Sequence, residues 1–296
     1  MVLLTMVLTK YAIIEPTINV GYLSTIEFII FSLSVLFITA GGYIINDIYD
    51  VELDRINKPQ KTFVGNTISK KNAWTAYILL SAIGLGLAVY ISIQKRLPYH
   101  ILYYLFGFTC LYFYSRYFQK KTLIGNLIIA FICGALIYLT YSFDYRVNNK
   151  VLDNVQPDSL VCMIQRIFII KFYIGFSFLG TLIRELIKDI EDIDGDYNAG
   201  YKTLPIILGI KRTRNFVIVL SILFLFGLFF YTYFFYLAEF WIVSTVIGGL
   251  SALSIYLLYQ LWSAKSKRDF SKLSQLMKLI LFFGILSMIL FTFAQC

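Results

Sequence analysis

Histidine is almost missing from this chain of 296 residues, with His100 its only example. The four cysteines, Cys110, Cys133, Cys162 and Cys296, form no C-x-x-C pair, and the first two fall inside apolar runs. Neither a disulfide framework nor a zinc site is therefore expected. His100 lies in a connection far from the acidic motifs described below, which argues against a catalytic role. Charged residues are scarce, at 15%, and no acidic residue lies deep in the apolar runs. A divalent-cation transporter, which needs such residues along its path, is disfavoured on that ground. The N-terminal stretch lacks a basic region and a small-residue cleavage site, so a first membrane helix, short for one, is expected there rather than a removed signal.

Apolar residues are what the chain has in plenty. It is 59% hydrophobic and 18% aromatic with a mean hydropathy of +0.74, whereas soluble domains are about 45–50% apolar. This composition describes an integral membrane protein. The formal charge of +9 would suggest nucleic acid in a soluble protein. Here the basic residues lie between apolar runs, where they report topology and anionic partners.

Apolar runs of spanning length occur at roughly 1–21, 25–46, 73–93, 98–118, 123–142, 167–188, 215–236, 239–262 and 276–295. They predict an all-α, multi-pass bundle of about nine transmembrane helices around a central cavity, with residues 1–296 forming one domain. The first run is the weakest, because it carries Lys10, Glu15 and Pro16. Alternate connections and their flanks hold 19 of the 26 Lys and Arg residues. By the positive-inside rule those connections, and the N-terminus, face the cytoplasm of a cell membrane.

Two acidic stretches stand at the cytoplasmic ends of apolar runs. Asn46, Asp47, Asp50 and Asp54 form the first; Asp189, Asp192 and Asp196 form the second. Both read D-x-x-D-x-x-x-D, and on a continuous helix the three carboxylates would span only about 60° of one face. A lone acidic cluster at a helix end is ordinarily a solvated face. Repetition of the spacing 142 residues later, on the same predicted side, argues otherwise and suggests an internal duplication. Crowded carboxylates repel one another unless a cation neutralises them. Oxygen donors without His or Cys suit Mg2+, which takes one or two carboxylates and completes its shell with water and substrate phosphates.

Two such claws above apolar helices suit an amphiphile with a diphosphate head and a hydrocarbon tail. Arg55, Lys58, Lys61, Lys120, Lys121, Lys188 and Lys202 stand near enough in sequence to complete a diphosphate clamp. Arg184 and Glu185 lie in the last turns before Asp189, and ionisable residues within a membrane helix are functional candidates. The fourth run is rich in aromatic residues, whose ring faces can stabilise a developing carbocation. Most serve packing; Tyr114 stands apart because it precedes the basic turn at Lys120 and Lys121.

These motifs resemble the UbiA superfamily of intramembrane prenyltransferases. Its first signature, N-D-x-x-D-x-x-x-D, matches Asn46, Asp47, Asp50 and Asp54, and its second matches Asp189, Asp192 and Asp196. The resemblance implies that the aspartates bind Mg2+ and an allylic diphosphate, and that an acceptor nucleophile captures the prenyl group. The stretches Asp54–Lys61, Arg184–Asp192 and Thr203–Pro205 are similar to the branch that transfers geranylgeranyl to geranylgeranylglycerol phosphate. The R-T-x-x-R-P run usual in the quinone and haem branches is missing, although prenylation of a hydroxybenzoate or dihydroxynaphthoate remains the alternative chemistry. Catalytic roles are implied for Asp50, Asp54, Asp192, Asp196, Tyr114 and Lys120, and substrate contacts for Asn46, Arg55, Lys58, Lys61, Lys121, Arg184, Lys188 and Lys202. The expected partners are a prenyl diphosphate, a prenylglycerol phosphate and membrane lipid. The chain departs from the family pattern at Gln119, where a lysine is expected five residues after Tyr114, and at the N-terminus, which lacks an R-P-x-N stretch.

Overall fold

The computed structural model describes residues 1–18, 22–53, 63–144 and 157–292. Among them the chain is helical, and an isolated bridge between Val64 and Ile68 is the nearest thing to a strand. In chain order the helices are α1 (Val2–Leu8), α2 (Thr25–Tyr49), α3 (Lys70–Gln94), α4 (His100–Phe113), α5 (Ile124–Asp144) and α6 (Pro157–Glu191). They continue with α7 (Ile193–Asn198), α8 (Leu204–Leu208), α9 (Ile210–Leu237), α10 (Trp241–Ser263) and α11 (Lys267–Leu286). Wider π turns extend α1 over Thr9–Ile14 and α4 over Tyr114–Phe118.

Among the described residues seven helices are long and apolar enough to cross a membrane: α2, α3, α5, α9, α10, α6 from Ile164, and α11 extended to Thr292. The chain is a multi-pass membrane protein. The first and fourth of the nine expected spans are shorter helices, Val2–Ile14 and the 14-residue α4. Five tyrosines and Arg116 within or just beyond α4 dilute its hydropathy.

The chain divides into two compact units. One comprises Met1–Leu23, Ala130–Glu191 and Lys211–Cys296. Its helices α6 and α11 approach closely at glycine: a Cβ at Gly284 would fall 2.1 Å from the Phe176 ring, and one at Gly180 would fall 2.6 Å from Leu281. Small residues at such crossings are how apolar helices gain contact when no water remains to be expelled. This unit also explains the charges in the first apolar run. Lys10 is fully buried, its Nζ 2.8 Å from Asp144 Oδ2, 2.9 Å from the Leu23 carbonyl and 3.1 Å from Glu15 Oε1. The Leu23 N–H donates to Asp144 Oδ1 at 2.7 Å. A lysine that weakens the run as a span is thus paired with two carboxylates, Asp144 and Glu15, in a cluster closed by backbone groups.

The second unit comprises Ser24–Ile129 and Asp192–Ile210. Helix α2 begins at a capping box, in which Ser24 accepts from the Glu27 N–H and Glu27 accepts from the Ser24 N–H. It packs along α3 through small residues. A Cβ at Gly84 would meet the Ser34 carbonyl oxygen and the Ile38 nitrogen at 3.0 Å, so the two backbones are nearly in contact. Toward the end of α2, Ile45, Ile48 and Val51 pack with Val64, Ala73 and Tyr77 into one buried cluster. Their spacing of three residues leaves Asn46 and Asp50, four apart, on another face of the same helix end.

Candidate active site

Both aspartate motifs interrupt their helices at the middle aspartate. Helix α2 ends at Tyr49 and leaves Asp50 at φ −93°, ψ 4°; α6 ends at Glu191 and leaves Asp192 at φ −96°, ψ 7°. This corrects the expectation of three carboxylates on one continuous helical face. Two residues in the same sparsely occupied backbone region turn the chain at equivalent points of the two motifs, a conformation that recurs at active sites. The Asp50 N–H still bonds the Asn46 carbonyl at 2.9 Å, so the first break comes as the last helical bond closes. After the second break, Asp196 N–H reaches the Asp192 carbonyl at 3.1 Å and starts α7.

Asp50 is the buried centre of the second unit's polar end, only 4% exposed. Asn46 Nδ2 and Gln119 Nε2 each donate to its Oδ2 at 2.7 Å, and the Tyr201 hydroxyl donates to its Oδ1 at 3.3 Å. The donors come from three separated segments. Asn46 Oδ1 lies 3.4 Å from the Ser115 hydroxyl, whose one proton is shared with the Leu111 carbonyl at 3.1 Å. Asp196 is also buried, Asp192 is half-buried and Asp47 is exposed.

Local backbone geometry brings Gln119 and Tyr201 to this carboxylate. The π turn at Tyr114–Phe118 ends with the Gln119 N–H on the Tyr114 carbonyl at 2.9 Å, a wider register than an α turn and one that often marks functional positions. Leu123, at φ 64°, and Gly200, at φ 73°, reverse the chain beside the two segments. Those segments are clasped to each other: Lys202 N–H donates to the Lys120 carbonyl at 2.9 Å, and Thr122 Oγ1 donates to the Lys202 carbonyl at 2.7 Å. Lys120 Nζ lies 5.4 Å from the centre of the Tyr201 ring, within range of a cation–π contact. Lys120, Lys121 and Lys202 are all exposed on this clasp.

Of the residues singled out in the sequence, Asn46, Asp50, Lys120, Lys202 and Gln119 thus meet in one unit, which also contains Asp47, Tyr114, Lys121, Asp192 and Asp196. Tyr114 is half-buried at the start of the π turn. Lys188 and Asp189 are half-buried on α6 and belong to the other unit, as does Arg184, whose Nη1 pairs with Glu185 Oε1 at 2.5 Å. Asp54, Arg55, Lys58 and Lys61 lie outside the described residues. Sequence reasoning missed Tyr201, Ser115 and Thr122. None of the three belongs to an acidic or basic motif, so nothing in their spacing distinguished them.

No His, Cys, Asp or Glu trio among the described residues is close enough to hold a metal ion by itself. The donor chemistry nevertheless fits a hard cation. Asp50 is a buried carboxylate, and the neighbouring Gln119 Oε1 is a buried oxygen without a hydrogen-bond partner among the described residues. Mg2+ asks the protein for only one or two carboxylates when phosphate oxygens supply the rest.

The model of the UbiA prenyltransferase family matches residues 4–292. The chain belongs to that family. It is a prenyltransferase by membership, and its similarity to particular members is substantial. It is 31% identical over 257 residues to the digeranylgeranylglyceryl phosphate synthase of Sulfurisphaera tokodaii, covering 87% of this chain and 84% of the relative. To the synthase of the same name from Sulfolobus acidocaldarius it is 32% identical over 261 residues, covering 88% and 82%. A solved structure from work on digeranylgeranylglyceryl phosphate synthase in membranes superposes with a TM-score of 0.70 at 23% identity, covering 99% of this chain and 93% of that one. A UbiA homologue from Archaeoglobus fulgidus bound to GPP and Mg2+ superposes with a TM-score of 0.61 at 19% identity, covering 97% and 94%. Both structural matches show the shared fold.

Proposed function

We propose that this UbiA-family chain transfers a prenyl group, geranylgeranyl for preference, from its diphosphate to the free hydroxyl of a prenylglycerol phosphate, forming an ether lipid. The observation that carries this reading is Asp50, a buried carboxylate held by Asn46, Gln119 and Tyr201 beside a clasp of exposed lysines. The names of the relatives at 31% and 32% identity support the acceptor, and the GPP and Mg2+ in the Archaeoglobus fulgidus homologue support the donor and the metal. We read residues 1–296 as one functional domain, with the motif ends of its helices on the cytoplasmic side of the membrane.

In this mechanism Asn46, Asp47, Asp50, Asp54, Asp189, Asp192 and Asp196 would hold Mg2+. When bound, the ion would supply positive charge that offsets the negative charge gained by the leaving group. Lys120, Lys121 and Lys202, together with Arg55, Lys58, Lys61, Lys188 and Arg184, bind and orient phosphate groups of the two substrates. Their charge matters most as the leaving group gains electrons, which is where fixed donors lower a barrier. The diphosphate departs with the electron pair of the broken bond. The aromatic face of Tyr114 stabilises the positive charge left on the allylic carbon. The acceptor oxygen then bonds to that carbon, and its proton passes to a carboxylate or to the departing diphosphate.

The test uses purified protein in nanodiscs with labelled geranylgeranyl diphosphate and three parallel acceptors: geranylgeranylglyceryl phosphate, 4-hydroxybenzoate and 1,4-dihydroxy-2-naphthoate. Transfer to the glycerophosphate alone, abolished by EDTA, is the expected result. Transfer to an aromatic acid instead would keep the chemistry and overturn the acceptor.

A further inference from the structure

We propose that Gln119 is a positioning residue for Asp50, and that its neutrality sets how tightly the site holds a divalent cation. The inference rests on the reading above that Asp50 is a cation ligand. A carboxylate oxygen can only accept, so the side-chain atom of Gln119 that faces Asp50 Oδ2 at 2.7 Å is its N–H donor. The amide therefore fixes the carboxylate without neutralising it. An ammonium at the same place would give an equally short bond, but it would also place a full positive charge where the incoming cation must sit.

The backbone is built to keep Gln119 there. Its N–H closes the π turn at the Tyr114 carbonyl, and a Cβ on Gly125 would lie 3.1 Å from its Cα and 2.8 Å from the Phe118 carbonyl oxygen. The positive charge of this loop is instead carried one residue on. Lys120 lies against the Tyr201 ring, 5.4 Å from its centre. Position 119 offers a neutral donor to the carboxylate, while position 120 presents an exposed ammonium to ligand phosphate. The division of labour also leaves Gln119 Oε1 as a buried neutral oxygen on the amide beside Asp50, with no hydrogen-bond partner among the described residues.

A charge series at this position separates this role from a merely structural one. Mn2+ binding, read by the loss of the free-ion electron paramagnetic resonance signal, is measured on intact protein in nanodiscs for wild type, Gln119→Glu, Gln119→Lys and Gln119→Leu. The affinity order expected is Glu tightest, then Gln, then Lys, with about tenfold between neighbours. Gln119→Leu keeps the neutral charge, so Mn2+ affinity stays within about threefold while turnover at saturating metal falls about tenfold. Glu and Gln are isosteric, so their comparison decides the matter even where the Lys variant does not fold. Equal Mn2+ affinity in the Glu variant and wild type, or equal loss in all three variants, overturns the proposal. Wild-type Mn2+ binding that Asp50→Asn leaves unchanged overturns both the proposal and the reading on which it rests.

Discussion

Gln119 and Asp50, separated by 69 positions in the chain, are joined by a 2.7 Å hydrogen bond from the amide to the carboxylate. The bond ties the loop after α4 to the end of α2 and, with the Asn46 and Tyr201 contacts, makes Asp50 a held group. Loss of Asp50 should therefore be costly. Asp50→Ala is expected to lower prenyl transfer by at least about a hundredfold, the scale of losing a preorganised electrostatic group. Far-ultraviolet circular dichroism should be unchanged in the same preparation. Normal turnover in the folded variant would remove Asp50 from the mechanism.

Tyr201 adds two separable contacts, its hydroxyl to Asp50 at 3.3 Å and its ring beneath Lys120. Tyr201→Phe loses only the first. At that length the bond is a weak one, and the expected loss in turnover is about fivefold. Tyr201→Ala loses the ring as well and should fall by at least about tenfold more. Steady-state rates at saturating donor, compared between the two variants, check the split; equal losses would show that the ring does nothing beyond carrying the hydroxyl.

The Lys10–Asp144 pair predicts an asymmetric double-mutant cycle. Both side chains are buried; removing Lys10 leaves the Asp144 carboxylate with the Leu23 N–H, whereas removing Asp144 leaves Lys10 with Glu15 and the Leu23 carbonyl. Lys10→Met should destabilise the protein by about 3–5 kcal/mol and Asp144→Leu, which leaves Glu15 to Lys10, by less, whereas the double variant should recover most of the Lys10→Met loss. Thermal unfolding in detergent, followed by tryptophan fluorescence, gives all four corners of the cycle. Additive losses would mean that the pair is not the unit of stability.

Gly125 provides a test of the loop that carries Gln119. An alanine there would bring its Cβ to 2.8 Å from the Phe118 carbonyl, which is backbone and has little room to give. Gly125→Ala should cost about 1–3 kcal/mol of stability and lower turnover by displacing the Gln119 amide. Gly86, where a Cβ would meet nothing within 4 Å, is the control and should tolerate alanine.

The parts of the fold that depend on local pattern were legible in the sequence. Hydropathy located the seven membrane-length helices among the described residues, though it also counted the shorter first and fourth runs as spans, and repetition of the aspartate spacing singled out both motifs. The break at Asp50 and Asp192 was not legible, because extrapolating a regular helix through D-x-x-D-x-x-x-D hides a turn made by two backbone angles at one residue. Pairings over distance were hidden for a different reason. Tyr201 lies 151 positions from Asp50, and Lys10 lies 134 from Asp144; no periodicity connects such residues before the chain packs. Lys10 even argued against the first span until its counter-ion was known. Gln119 was visible as a departure from the family pattern, but only the π turn and the facing carboxylate turn that departure into a contact.

The central claim is that the aspartate motifs hold the cation that binds the prenyl diphosphate. Its most direct test is the position of Mn2+ by anomalous scattering in crystals grown with geranylgeranyl S-thiolodiphosphate. The account predicts a peak bonded to a carboxylate oxygen of Asp50 and to diphosphate oxygens. A peak bound to diphosphate but to no aspartate of either motif would contradict it.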